Sequence, residues 1–100
     1  MKILWRKSAI ESLIQLDKWR ESIDLPPVAN YLKETVGLYF QRQNFSLYIP
    51  GKEVLIRKMP IDLRIVLISV GASDPYKIFY RKTEVGIEMF LIRHPYQRPL

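Results

Sequence analysis

The spacing of apolar residues changes partway along the chain, and that change limits the folds open to it. Ile10, Leu13, Ile14, Leu16, Trp19 and Ile23 recur at three- and four-residue intervals, one stripe of an amphipathic helix. After Asp62 the apolar residues fall into short runs bounded by turn residues, as strands require. A chain that reads helical first and extended later belongs to the α+β class, with its helices gathered on one face of a sheet.

The boundaries follow from local chemistry. Lys2 to Trp5 is too short for a helix and reads as a strand. Ser8-Ala9-Ile10-Glu11 has the form of a capping box, which predicts a first helix over Ala9 to Ile23. Leu25-Pro26-Pro27 stops it, and proline suits the first turn of a new helix. The second helix is expected from Pro27 to Gln43, with Val28, Leu32, Val36 and Tyr39 or Phe40 buried. Gly37 in its middle costs about 1 kcal/mol relative to Ala, which close packing against the first helix would offset. The short connection makes an antiparallel helical hairpin.

Residues 44–60 fit either a small β-hairpin about Pro50-Gly51 or an ordered loop. Three strands follow: Leu63 to Ser69, Tyr76 to Arg81 and Val85 to Ile92. The expected order is β-α-α-β-β-β, a helical hairpin on a mainly antiparallel sheet.

Composition narrows the functional classes. One hundred residues make one domain. The absence of cysteine removes disulfides and thiolate metal sites, and a single histidine cannot build a His-rich one. No metal or cofactor is expected, and the composition suits a cytoplasmic setting. No uninterrupted apolar run approaches the roughly 20 residues of a spanning helix, so no membrane role is expected. The net charge is +6, of which residues 51–100 contribute +4. Such a balance fits a nucleic acid, an acidic protein or an anionic surface, and selects none of them.

The cations of the second half are the remaining chemical signal. Arg64, Lys77 and Arg81 fall on neighbouring predicted strands, and the even separation of Lys77 and Arg81 places them on one face. The tail adds Arg93, His94, Tyr96 and Arg98. Cleavage of RNA by its own 2′-hydroxyl needs proton transfer and cations around the phosphate. His94 or Tyr96 has the chemistry for the first; Arg64, Lys77, Arg81 and Arg98 have it for the second. The same residues also describe a solvated sheet face with an ordinary charged tail. Trp5, Trp19, Tyr31, Tyr39 and Phe40 read either as core or as the wall of a groove for a partner segment.

Pro75-Tyr76-Lys77-Ile78-Phe79-Tyr80-Arg81 resembles the Pro-Tyr-Arg-Ile-x-Tyr strand of the RelE/ParE family, the toxins of bacterial type II toxin–antitoxin pairs. Val85 to His94 resembles that family's last strand, and Arg57-Lys58-Met59-Pro60 the segment before its second strand. The resemblance implies a RelE/ParE-like fold and a cognate antitoxin, acidic in character. It also implies growth inhibition by one of two routes. RelE-like members cut messenger RNA on the ribosome, without a metal; ParE-like members poison DNA gyrase.

Residue by residue, Lys77 stands where the family has Arg, and Arg64 matches a basic position on the preceding strand. His94, Tyr96 and Lys77 are the catalytic candidates. Arg64, Arg81, Arg93 and Arg98 are the target- or phosphate-binding candidates. The pattern departs at Val66, which replaces a second cation, and at Pro95-Tyr96, which replaces a Gly-plus-basic pair and shifts one cation to Arg98. No C-terminal helix supplies a tyrosine, so Tyr96 would have to substitute. Phe45 to Ile56 is longer than usual. The incomplete cation set tilts the expectation toward gyrase. It also motivates an alternative, a non-enzymatic basic binding module or inactive remnant that only binds an antitoxin.

Overall fold

A computed structural model describes residues 1–71 and 74–97. The elements are β1 (Lys2–Trp5), α1 (Lys7–Ser22), α2 (Ala29–Gln41), β2 (Lys52–Glu53), β3 (Arg64–Ile68), β4 (Tyr76–Lys82) and β5 (Gly86–Arg93). They form two helices packed on a five-stranded sheet of order β1-β5-β4-β3-β2. Among the described residues only the β1–β5 pair is parallel; the other pairs are antiparallel. The expected α+β class and the mainly antiparallel sheet are therefore present, with β2 as an added strand.

The β1–β5 pair puts the first strand beside the last, with Lys2 opposite Gly86 and Trp5 opposite Met89. Gly86 permits this: a Cβ there would lie 1.8 Å from the Lys2 carbonyl oxygen. Gly37 has a different role from the one expected. The space beside it is bordered by Ile3 of β1, not by α1.

Helix α1 starts earlier than the capping box predicts. Arg6, extended at φ −67° and ψ 158°, is the N-cap and offers no side-chain hydrogen bond. Ser8 lies inside the first turn, and its hydroxyl donates to the Phe90 carbonyl at 2.7 Å. One turn later the buried Ser12 hydroxyl donates to Ala9 O at 2.7 Å and accepts the Ile92 N–H at 3.0 Å. These serines continue the work of β1. Beyond Trp5 the strand has ended, and α1 side chains satisfy the β5 backbone instead.

The buried stripe of α1 is Ala9, Ser12, Leu13 and Leu16, whereas Ile10, Ile14 and Ile23 are exposed. The helix ends in a Schellman motif. Leu25 N–H reaches Arg20 O, Asp24 N–H reaches Glu21 O, and Asp24 takes the left-handed conformation at φ 60°. Asp17 then serves the next helix: its Oδ1 accepts Val28 N–H at 2.7 Å and Ala29 N–H at 3.0 Å. Helix α2 buries Leu32, Val36 and Phe40.

The sheet carries two apolar clusters. On the helix side, Val66, Ile68, Tyr76, Ile78, Tyr80, Ile87, Met89 and Ile92 meet the helices. On the outer side, Leu63, Phe79 and Phe90 are covered by Val54, Ile56 and Met59. Simple alternation fails along β5, because Met89 and Ile92 share the helix side. The register explains it: Phe79 opposes Leu91 and Tyr80 opposes Met89, so Phe90 is an extra residue in a β-bulge. The bulge resets the parity and sends Phe90 to the outer cluster.

Residues 44–60 are mostly loop and turns, with β2 as the only strand among them. The segment runs round the edge of the sheet. Phe45 packs against the helix-side core, while Val54, Ile56 and Met59 pack outside.

Candidate functional site

The two segments that carry the family resemblance form the adjacent strands β4 and β5. Lys77 lies directly opposite Arg93. Tyr76, Ile78 and Tyr80 point to the helices, so alternation puts Lys77, with Arg93 beside it, on the outer face. Leu67 of β3 completes that row.

His94 follows the last residue of β5 and turns to the helix side. Its ring lies 4.9 Å from Trp19 of α1, 5.2 Å from Tyr76 of β4 and 5.3 Å from Tyr96, centroid to centroid. Arg20 holds the edge of this cluster, with Nη1 donating to the Tyr76 hydroxyl at 3.2 Å and Nε to Pro26 O at 2.7 Å. The turn after β5 is closed on the ring. Tyr96 N–H donates to His94 Nδ1 at 3.1 Å, His94 N–H to Gln97 Oε1 at 2.7 Å, and Gln97 N–H to His94 O at 3.1 Å.

Burial pushes the His94 imidazole below its ordinary range; Asp74 opposes this and Arg20 adds to it. A ring that accepts at Nδ1 must keep a lone pair there. The neutral form then carries its proton on Nε2. In this state the Nε2–H can donate a hydrogen bond, and the basic Nδ1 is already occupied.

The remaining cations are placed elsewhere. Arg64 lies on the helix-side parity of β3 and clamps the preceding loop. Its Nε donates to Pro50 O at 3.1 Å, and its Nη2 to Ile49 O at 3.1 Å and Gly51 O at 2.7 Å; Nη1 is 3.6 Å from Glu53. Tyr80 donates to the same Pro50 carbonyl at 2.5 Å, and burial pushes its phenol up to about 12. Arg81 joins Asp62 at 2.9 Å to Glu88 at 2.8 Å, and Glu88 also meets Arg6 at 3.5 Å. Arg98 lies outside the described residues.

The structure thus brings His94 and Tyr96 together. It puts Lys77 and Arg93 on the other face and uses Arg64 and Arg81 to tie loops and strands. From sequence Trp19 reads as core or groove wall, and nothing marks Arg20. Both reach the cluster through the packing of α1 on the sheet. Tyr76 belongs to the strand motif that carries the family resemblance, with no role of its own there. Among the described residues, no group of three His, Asp or Glu side chains could hold a metal ion, and no helix is long and apolar enough to cross a membrane. Compared with known proteins, the chain matches no family model and no curated sequence.

Proposed function

We propose that this chain is a growth-inhibiting toxin of the RelE/ParE type, acting in the cytoplasm by a ParE-like block of DNA gyrase and neutralised by an acidic antitoxin. One observation carries the reading: Pro75–Arg81 and Val85–His94, the segments most like that family, pair as adjacent strands.

The choice of gyrase over messenger RNA rests on where the cations stand. Cleavage of RNA needs a base, an acid and cations converging on one phosphate. Neutral His94 has no acidic proton to give, and its basic Nδ1 is occupied. Lys77 faces the other side of β4, and Arg64 and Arg81 are bound within the fold. A binding surface tolerates such dispersal; a phosphoryl-transfer site does not.

Expression in bacteria, alone and with the neighbouring open reading frame, tests the proposal. The expected result is arrest without the neighbour and growth with it, loss of gyrase supercoiling, and no new messenger RNA ends. The double variant K77A/H94A should remain toxic. New RNA ends that vanish in this variant would overturn the gyrase route in favour of ribosome-dependent cleavage. Normal growth in every arm would leave the second reading, a basic binding module or inactive remnant. The structural use of Arg64 and Arg81 favours that reading over a nuclease.

A further inference from the structure

Strand β3 is unevenly covered along its outer edge. Val54 N–H donates to Leu63 O, so Leu63 turns its peptide groups toward β2, and alternation gives Ile65 and Leu67 the same direction. The register pairs Lys52 with Ile65 and Glu53 with Arg64. Continued outward, it puts Pro50 opposite Leu67. Proline has no N–H to give the Leu67 carbonyl. The Pro50 carbonyl is already taken by the Tyr80 hydroxyl and Arg64 Nε. The ladder stops there, and the Leu67 N–H and C=O face outward without a strand.

This open edge borders a groove of about 530 Å³ against α2, lined by Tyr31, Leu38, Tyr39, Arg42, Leu67 and Ser69 among others. Tyr31 and Leu67 are each 60% exposed and Leu38 is 45% exposed. No lysine or proline interrupts Ile65 to Val70, the usual protection of an edge strand. Among the described residues lining the groove, Arg42 is the only charged one and none is acidic.

We infer that the β3 edge and the α2 groove form a docking site for an extended acidic segment of a partner protein, which adds as a strand beside Leu67 and sets a carboxylate against Arg42. The unpaired backbone selects an extended polypeptide. The charge selects an acidic one. A second copy of this chain is disfavoured, because edge-to-edge pairing about a two-fold axis brings the same groove, with its Arg42, from each copy, and each copy carries +6. The inference stands on β3 and α2 alone and does not depend on toxicity.

The test is a titration of the isotope-labelled full chain with a short alternating Val/Thr peptide bearing one terminal Glu, followed by amide NMR spectra. Two further peptides carry Gln for Glu, or N-methyl groups on the pairing amides. The expected result is a shift of the Leu67 and Ser69 amides and of the α2 groove. The Glu peptide should bind about two- to fivefold tighter than the Gln peptide, as one exposed ion pair gives, and R42A should erase that difference. The N-methylated peptide should not bind. Equal binding of the methylated peptide, shifts elsewhere, or no binding would overturn the proposal. So would concentration-dependent changes at Leu67 in the free protein, which would assign the edge to a second copy. A chain that binds the peptide but leaves growth untouched keeps this site and loses the toxin reading.

Discussion

Ser12→Ala tests how the helix supports the last strand. The Ser12 hydroxyl is the acceptor for the Ile92 N–H at 3.0 Å, and Ser12 is 5% exposed. Alanine fits the space but leaves that amide buried without an acceptor. An unsatisfied buried donor costs about 1–3 kcal/mol. Alanine also suits a helix interior better than serine, by about 0.5 kcal/mol. The net loss is therefore about 0.5–2.5 kcal/mol. With an unfolding entropy of about 2.1 cal/mol/K per residue, a chain of this length should lose about 2–12 °C in Tm. Thermal unfolding followed by circular dichroism reads the shift. Hydrogen exchange reads its cause, since the Ile92 amide should lose protection more than its β5 neighbours. Ser8→Ala is the internal comparison. It removes a donor from Phe90 O rather than stranding one, so its cost should be the smaller. A Ser12→Ala protein as stable as the parent, with Ile92 still slow to exchange, would refute the argument.

Two other outcomes follow from the same structure. Gly86→Ala drives a Cβ into the Lys2 carbonyl, where backbone cannot yield cheaply. The expected loss exceeds about 2 kcal/mol in urea unfolding, and a change within about 0.5 kcal/mol would show that β1 does not approach so closely. The pH dependence of stability should carry a His94 component. The folded imidazole is held below the unfolded value of about 6.5, chiefly by burial. Between the two values the unfolded chain binds more protons. This contribution is thus full above about pH 6.5 and is lost as pH falls through the folded value. H94Q should flatten that slope, and an unchanged slope would place the titration elsewhere.

Several features were legible in the residues because they depend on neighbours in sequence. The α1 stop at Leu25-Pro26-Pro27, the α2 face of Leu32, Val36 and Phe40, and the β4 alternation of Tyr76, Ile78 and Tyr80 are of this kind. Other features depend on distant partners and were not. Ser8 and Glu11 have capping-box spacing, yet the Phe90 carbonyl claims the hydroxyl. The bulge at Phe90 leaves Met89-Phe90-Leu91-Ile92 looking like an ordinary buried run. At the candidate site, His94 and Tyr96 are two residues apart, and their contact is local. Trp19 and Arg20 join them only through α1, and the commitment of Arg64 to three carbonyls depends on how residues 49–51 cross the sheet.

The parallel pairing of β1 with β5 also sets an order in time. Trp5 finds its strand partner in Met89, and α1 finds the backbone it supports in Phe90 and Ile92. A ribosome adding about 5–20 residues per second reaches Met89 roughly 4–17 s after Trp5. Until then the apolar faces of both helices have no finished sheet to cover them. The core therefore closes only when β5 arrives.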